Sequence, residues 1–155
     1  AHGRSGTTRP LTLIGALGFG GAEELHALKY HPVPERVQIL PWCRRPALVR
    51  AIREARCVVF PSLAEGFGLP ILEAMLLGTP VLSTLGHATE EISDTAALLV
   101  DSTNVEALAE GINTLDRDDA LWATLSSSGR KRAKDFAIEP YALRMKKFYK
   151  TLLDG

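Results

Sequence analysis

Two glutamates that flank a glycine turn are the residues of this sequence best suited to chemistry. Glu65 and Glu73 stand eight residues apart, and the turn Gly66, Phe67 and Gly68 follows the first of them. The surrounding sequence is apolar, so both carboxylates interrupt what otherwise has the pattern of a buried strand and a buried helix. Because carboxylates are rarely buried without a partner, their presence here indicates either a bound group or a structural role.

The chemistry that these residues could perform is the binding of hydroxyls and phosphate. A helix predicted to start near Leu69 offers unpaired backbone N–H groups and a partial positive charge, which favour a phosphate. Gly66 and Gly68 let the backbone approach a ligand because they carry no Cβ. Each carboxylate can accept hydrogen bonds from two adjacent hydroxyls of a ribose or another sugar. A nucleotide-sugar combines these parts, although acidic residues and glycines also occur near helix starts for structural reasons alone.

The elements that must position this turn alternate between strand and helix. The predicted strands are 11–16, 36–40, 57–62, 80–84 and 97–101. Residues 18–30 are predicted to form a glycine turn and then a helix. The other predicted helices are 45–56, 69–78, 104–118, 119–136 and 139–155, with Pro70 and Asn104 near two of the starts. This alternation predicts an α/β fold in which a parallel sheet carries helices on both faces.

Ligands of such a sheet bind in the loops at the carboxyl ends of its strands. In this sequence the loops are 15–21, 41–45, 62–69 and 84–91. The glycine turn between the two glutamates lies in the third of them. A functional site is therefore expected where these four loops meet.

The composition indicates one globular domain and excludes several functional classes. The chain has 155 residues, 46% of them hydrophobic, which suits a single domain with its own core. Its 18 basic residues balance 18 acidic residues, so the total charge gives no general reason to expect nucleic acid as a partner. The two cysteines, Cys43 and Cys57, match neither a disulfide framework nor a zinc spacing and suit a reducing compartment. Residues 1–10 are polar and glycine-rich, and we expect them to be disordered or an added segment.

The glycine turn belongs to a longer pattern that resembles one enzyme family. The segment EGFGLPILEAMLLGTPVLST, residues 65–84, is similar to the E-x7-E signature of the family-four retaining glycosyltransferases. The segments before and after it, from RVQILPWCRRPALVRAIREARCVVFPS to the tail that ends in GRKRAKDF, follow the same family in order and spacing. The resemblance covers roughly residues 11–148.

This resemblance implies a place in a larger enzyme. The family has two Rossmann-like domains that face a cleft, and residues 11–155 would be most of the carboxyl-terminal domain, which holds the nucleotide-sugar donor. The acceptor domain would be absent from this chain. Family members usually carry a strand, a loop arginine and a lysine before the position where this chain begins, and that basic pair neutralises the diphosphate. Arg44 and Arg45 do not occupy those positions, so we expect the isolated fragment to be inactive.

The resemblance also implies roles for residues around the glycine turn. Glu73 would bind the ribose hydroxyls, and Glu65, the implied catalytic residue, would bind hydroxyls of the transferred sugar. The backbone of the intervening turn would contact the sugar and the diphosphate. That turn consists of Gly66, Phe67, Gly68 and Leu69.

Two further loops would complete the donor site by resemblance. Trp42 and Cys43, after the second strand, match the segment that lines the base pocket. Thr84, Gly86 and His87 lie in the loop that flanks the donor.

The implied reaction is the transfer of a hexose, mannose or glucose, from a nucleoside diphosphate to a glycan or lipid-linked acceptor with retention of configuration. Bacterial polysaccharide or lipopolysaccharide synthesis is the implied setting, in the cytoplasm at the inner face of the membrane. No cofactor and no metal are expected, because side chains and the helix dipole would handle the diphosphate charge. The basic cluster 130–134 is either a solvated helix face or a contact with anionic lipid.

Two other functions remain open from the sequence. The first is a non-catalytic module of the same fold that holds a nucleotide or mediates assembly. The second is a phosphorylase or an epimerase of related architecture. The effect of Glu73→Ala on nucleotide affinity distinguishes a donor site from an assembly module, and product analysis distinguishes the enzymes.

Overall fold

A computed structural model describes residues 1–16, 18 and 20–154 of the chain, and the backbone but not the side chain of residue 87. The first glycine-rich loop, 15–21, therefore lies partly outside the described residues, at positions 17 and 19. The expected role of the His87 side chain in the donor loop also falls outside them.

Strands and helices alternate as the sequence predicts, which confirms the α/β class. The described α-helices and strands are β1 Leu11–Ile14, α1 Gly21–Leu25, β2 Val37–Leu40, α2 Arg45–Glu54, β3 Val58–Phe60, α3 Leu69–Leu77, β4 Val81–Thr84, α4 His87–Ser93, β5 Leu98–Val100, α5 Val105–Arg117, α6 Asp119–Ala133 and α7 Ile138–Leu153. Short 3-10 turns lie at His2–Arg4, His26–Tyr30, Pro34–Arg36 and Lys134–Phe136.

The strands form two parallel sheets, where their alternation predicts one. β1 pairs with β2, and β4 pairs with β3 on one side and β5 on the other. Among the described residues, no strand pairing joins the two sheets. A strand–helix alternation predicts parallel strands, but which strands become neighbours depends on long-range contacts that a local pattern does not contain.

Helices cover both faces of the three-stranded sheet, as predicted. Val81 of β4 packs into one cluster with residues of α3, α4 and α6. Leu82, the next residue, packs into a second cluster with residues of α5 and α6. Because successive side chains of a strand point to opposite faces, β4 connects both halves of the core. All four residues of β4 are buried, whereas those of β3 are half-buried.

Helix ends follow the local signals of the sequence. Pro70 lies in the first turn of α3, and Gly78 follows its last residue in the left-handed conformation. Asn104 precedes α5, and its Oδ1 accepts a hydrogen bond from the Ala107 N–H at 3.0 Å. These three predictions of helix boundaries are confirmed.

Helix α4 lies where the sequence predicts a loop. The loop expected over 84–91 becomes helical at residue 87 and stays so to Ser93. The segment is only seven residues long, and it has no apolar stripe of helical period that would reveal it. The expected loop is therefore confined to the residues between β4 and α4.

The first ten residues pack against α5, although their composition predicts a disordered or added start. The Thr7 hydroxyl donates to Asp116 Oδ2 at 2.8 Å, and the Arg9 guanidinium forms an ion pair with the same carboxylate. The hydrogen bond from Thr7 is the largest of the effects that lower the pKa of Asp116. The start of the chain is thereby held beside the end of α5.

Helix α7 leaves most of its apolar residues in solvent. It packs chiefly against the 3-10 turn that precedes it. The exposed large apolar residues of α7 are Ile138, Tyr141, Leu143, Phe148, Tyr149, Leu152 and Leu153. None of the described helices is long and apolar enough to span a membrane.

Candidate functional site

The start of α3 brings a tight glycine turn to the carboxyl end of β3. Gly68 precedes the helix with φ 95° and ψ 47°, a left-handed conformation that other residues rarely adopt. It is also buried, and a Cβ at this position would lie 3.3 Å from Ile71 Cδ1. Gly66 has open space around its Cα and no positive φ. Glycine is therefore required by the fold at 68, whereas at 66 it only leaves the backbone uncovered.

At the start of α3, the backbone N–H groups of Gly68 and Leu69 have no partner among the described residues, whereas Pro70 has no N–H group. The Ile71 N–H bonds to the Gly68 carbonyl at 3.0 Å, so the helix begins directly after the turn. No side chain caps this end of the helix in the described chain. Such a start, on a helix of nine residues, favours an anionic group through the free N–H groups of Gly68 and Leu69 and through the helix dipole.

The two glutamates differ in their surroundings. Glu65 is half-buried in the loop after β3, and none of the ion pairs among the described residues includes it. Glu73 lies one turn into α3, with 24% of its side chain exposed, and its Oε1 accepts from the guanidinium of Arg45. Arg45 is the first residue of α2. The basic side chain that contacts the helical carboxylate thus comes from the element that follows Trp42 and Cys43.

The sequence alone does not reveal the Arg45–Glu73 pair. The two residues are 28 positions apart, and they meet because α2 packs beside α3. A shallow depression of about 90 Å³ lies between the two helices, with Arg45 and Glu73 at its rim and Leu48, Ile52 and Leu76 among its walls. Sites for drug-sized ligands usually measure about 300–1,000 Å³, so this depression suits one ring of a larger ligand.

The loop after β2 carries the residues expected at the base pocket. Trp42 is 74% exposed, which leaves its ring free for stacking, and Cys43 is half-buried. Both precede α2 directly, so the structure places them on the Arg45 side of Glu73.

Cys57, the other cysteine, lies beside β3 and outside this loop. Burial raises the pKa of its thiol to about 11. The thiol therefore stays protonated and is unsuited to nucleophilic chemistry.

The loop after β4 is held by its own hydrogen bonds. Thr84 is 8% exposed, and its hydroxyl has no hydrogen-bond partner among the described residues. Thr89 Oγ1 donates to the carbonyls of Thr84 and Gly86, at 2.8 Å and 2.7 Å. The Gly86 N–H donates to Glu90 Oε2 at 2.8 Å, so this backbone group already has an acidic partner. A loop predicted over 84–91 gives no reason to single out Thr89 and Glu90, because their contacts with Thr84 and Gly86 form only when α4 does.

Two groups of predicted residues thus meet in the structure. The glycine turn and the end of α4 are neighbours, because Ile92 of α4 would lie 3.9 Å from a Cβ at Gly68. Glu73 and the loop after β2 are connected through Arg45. Among the described residues, no three His, Cys, Asp or Glu side chains are grouped as a metal site would require. The arrangement can bind an anion at the α3 start and hydroxyls at the carboxylates.

The chain is similar over most of its length to known glycosyltransferases. The O-antigen chain mannosyltransferase B of Escherichia coli is 37% identical over 98 residues, which cover 63% of this chain and 26% of that protein. The D-inositol 3-phosphate glycosyltransferase of Xylanimonas cellulosilytica is 34% identical over 145 residues, which cover 91% of this chain and 35% of that protein.

The fold is shared with a solved structure. Anabaena Alr3699/HepE in complex with UDP-glucose matches 92% of this chain with a TM-score of 0.79 and 25% identity, and the match covers 41% of the Anabaena chain. The present chain therefore spans well under half of the length of these proteins. The family described as "Glycosyl transferases group 1" matches residues 7–118. Because this match covers more than half of the sequence, the chain belongs to the group 1 glycosyltransferases.

Proposed function

We propose that this chain is the donor-binding part of a retaining hexosyltransferase of the family-four type. The observation that carries the proposal is the start of α3, where the left-handed Gly68 exposes a helix N-terminus between Glu65 and Glu73. The full-length enzyme would transfer a hexose from a nucleoside diphosphate to an acceptor hydroxyl. Since the chain covers 35% of the Xylanimonas relative, we expect the 155 residues alone not to turn over sugar.

Each part of the α3 start has a role in this proposal. The free N–H groups of Gly68 and Leu69 receive the diphosphate, which carries the negative charge of the leaving group. Glu65 accepts hydroxyls of the transferred sugar, close to the bond that breaks. Glu73 accepts the two ribose hydroxyls, and Trp42 and Cys43 lie beside the base. The backbone of Gly66, Phe67 and Leu69 completes the turn around the sugar.

The charge on the departing diphosphate determines what catalysis requires. As the glycosidic bond breaks, negative charge builds on the leaving oxygen, and preorganised N–H groups and cations stabilise it. The α3 start supplies the N–H groups. A basic pair of the kind that the family carries would supply the cations, and Arg45 is the nearest described arginine to Glu73. The proposal includes neither a cofactor nor a metal.

The loop after β4 forms the second wall of the proposed donor site. Thr84 belongs to this wall by its place in the donor loop, whereas its hydroxyl oxygen is buried and has no partner among the described residues. Gly86 contributes little more than its shape, because its N–H is already bound to Glu90.

The sugar and the acceptor are proposed from relatives. Mannose is supported by the name of the Escherichia coli relative, and glucose by the UDP-glucose bound in the Anabaena structure. The same relative supports a glycan or lipid-linked acceptor in bacterial surface polysaccharide synthesis. We therefore place the enzyme in the cytoplasm, in peripheral contact with the inner face of the membrane.

The test is a calorimetric screen of UDP-, GDP- and ADP-sugars on the full-length protein. One of them is expected to bind, and Glu73→Ala is expected to weaken that binding about 5- to 30-fold, because one or two hydrogen bonds of about 1 kcal/mol each are lost. Glu110→Ala, which removes an exposed glutamate from α5, serves as the matched control and should leave the affinity unchanged. Unchanged affinity in Glu73→Ala would contradict the donor site.

A further inference from the structure

Phe67, in the middle of the glycine turn, rests on an aromatic ring from a distant part of the chain. Its ring meets that of Phe136 edge to face, with centroids 5.9 Å apart and planes at 89°. Phe136 belongs to the 3-10 turn after α6, and it packs half-buried against the core cluster beneath α3. Edge-to-face pairs of this kind stabilise a preferred orientation beyond their buried area. The 3-10 turn that follows α6 therefore packs against the glycine turn and stabilises its orientation.

Arg132 holds Phe136 in place. Its guanidinium carbon lies 4.9 Å from the centroid of the Phe136 ring, in a cation–π contact. The same guanidinium forms an ion pair with Asp135 at 3.2 Å. Only 27% of the Arg132 side chain is exposed, so these contacts fix it and solvent does not compete freely for it.

Arg132 also binds the end of α4. Its Nε donates to the Ile92 carbonyl at 3.0 Å, and its terminal nitrogen donates to the Glu91 carbonyl at 2.7 Å. Carbonyls of a last helical turn have no partner within their own helix, and a guanidinium fork satisfies two of them at once. Ile92 in turn lies beside Gly68. One arginine thus connects both walls of the proposed donor site, the glycine turn through Phe136 and α4 through its carbonyls.

We infer that Arg132 and Phe136 are positioning residues, which hold the glycine turn and α4 in the geometry that receives the donor. This inference rests on the proposed function, because it concerns the same site. Neither residue needs to touch the ligand. Phe136 acts through Phe67, and Arg132 acts through Phe136 and the backbone of α4.

The inference divides the basic cluster 130–134 into two kinds of residue. Lys131 and Lys134 are exposed, as a solvated helix face or a lipid contact requires. Arg132 instead has four described partners on α4 and on the turn after α6, namely Glu91, Ile92, Asp135 and Phe136. It contacts Glu91 and Ile92 through their backbone carbonyls. Lys131 is therefore a matched control, since it is a neighbouring cation without these contacts.

The experiment is a double-mutant cycle on nucleotide affinity in the full-length protein, with UDP, GDP and ADP as probes. Phe67→Ala and Phe136→Ala are each expected to weaken binding about three- to tenfold, in line with the worth of an aromatic pair. The double variant is expected to lose no more than the larger single loss, because both changes break one contact. A merely structural role for Phe136 predicts losses that multiply, and that result would overturn the inference.

Conservative variants keep the test decisive if Phe136→Ala fails to fold. Phe136→Leu preserves most of the volume but not the ring edge and is expected to weaken binding, whereas Phe136→Tyr is expected to retain it. Arg132→Lys keeps the charge and loses the fork, so it should weaken binding, whereas Lys131→Ala should not. Equal affinities across these four variants would overturn the inference.

A second readout does not depend on the ligand. Amide hydrogen exchange of residues 66–72 is expected to quicken in Arg132→Lys and not in Lys131→Ala, while exchange in β4 stays unchanged. If the unmodified protein binds none of UDP, GDP and ADP, the proposed function fails. If it binds one of them but the cycle is additive and the exchange is unchanged, the inference alone fails.

Discussion

At the scale of single residues, the ion pair between Arg45 and Glu73 determines what the helical carboxylate can do. The guanidinium engages Oε1 of Glu73 in the structure, and 67% of the Arg45 side chain is exposed. An ion pair this open contributes only about 0–1 kcal/mol to stability, so a ligand can displace it. The pair is therefore a competitor of the ribose hydroxyls and a minor part of the fold.

Removal of Arg45 tests this competition. Arg45→Ala is expected to raise the affinity for the nucleoside about two- to fivefold, because exposed ion pairs are worth at most about 1 kcal/mol and no guanidinium would then have to leave Glu73. Calorimetry with uridine and guanosine measures the effect, and Arg53→Ala, an exposed arginine of the same helix, is the control. A fall in affinity would show instead that Arg45 orients the carboxylate for its ligand.

At the scale of elements, the junction of β3 and α3 separates two kinds of glycine. Gly68 is required by its backbone conformation and by the nearby Ile71 side chain, whereas Gly66 has open space around it. The fold does not require glycine at position 66. A requirement for glycine there would therefore come from the approach of a ligand. The two positions therefore report separately on folding and on binding.

Alanine substitution at both positions should separate these effects. Gly68→Ala is expected to lower the free energy of unfolding by at least about 1 kcal/mol, because it forces a Cβ into the left-handed region. Gly66→Ala is expected to change stability by less than about 0.5 kcal/mol, as at other open surface positions. Thermal or urea unfolding measures both values.

The affinity of the Gly66→Ala variant for a nucleotide-sugar tests whether the turn contacts the donor. If the backbone of the turn contacts the donor, Gly66→Ala weakens nucleotide-sugar binding while the protein stays as stable as before. Normal affinity in a stable Gly66→Ala protein would remove Gly66 from the proposed site.

At the scale of the whole molecule, the described chain leaves apolar surface uncovered. Seven large apolar side chains of α7 are exposed, and the two sheets are not joined by strand pairing among the described residues. Exposed apolar surface of this extent is uncommon on a soluble monomer. The 155-residue chain should therefore present a hydrophobic surface in solution.

Dye binding checks this expectation at α7. The isolated chain is expected to bind a hydrophobic dye, and Phe148→Lys combined with Leu152→Lys should reduce the binding without lowering the melting temperature, because both side chains lie in solvent. Thr151→Lys places the same charge on the same helix and should leave dye binding unchanged. A lower melting temperature in the double variant would show that α7 packs against the domain in solution.

The sequence by itself determined the local features of this protein. Short apolar runs between helical patterns predicted the strands, and Pro70 and Asn104 predicted helix starts. The spacing of Glu65, Gly68 and Glu73 predicted the motif. Each of these signals depends on neighbours within a few residues. The sequence did not predict α4, because a segment of seven residues without an apolar stripe has no detectable helical period.

Only the tertiary structure decided which distant groups meet. It separated the strands into two sheets, paired Arg45 with Glu73 across 28 positions, and placed Arg132 and Phe136 beneath the glycine turn. The physical reason is that side chains far apart in sequence become neighbours only when helices and strands pack, and this packing depends on the shape of the whole core. The motif is therefore local, whereas the contacts that hold and modulate it are not.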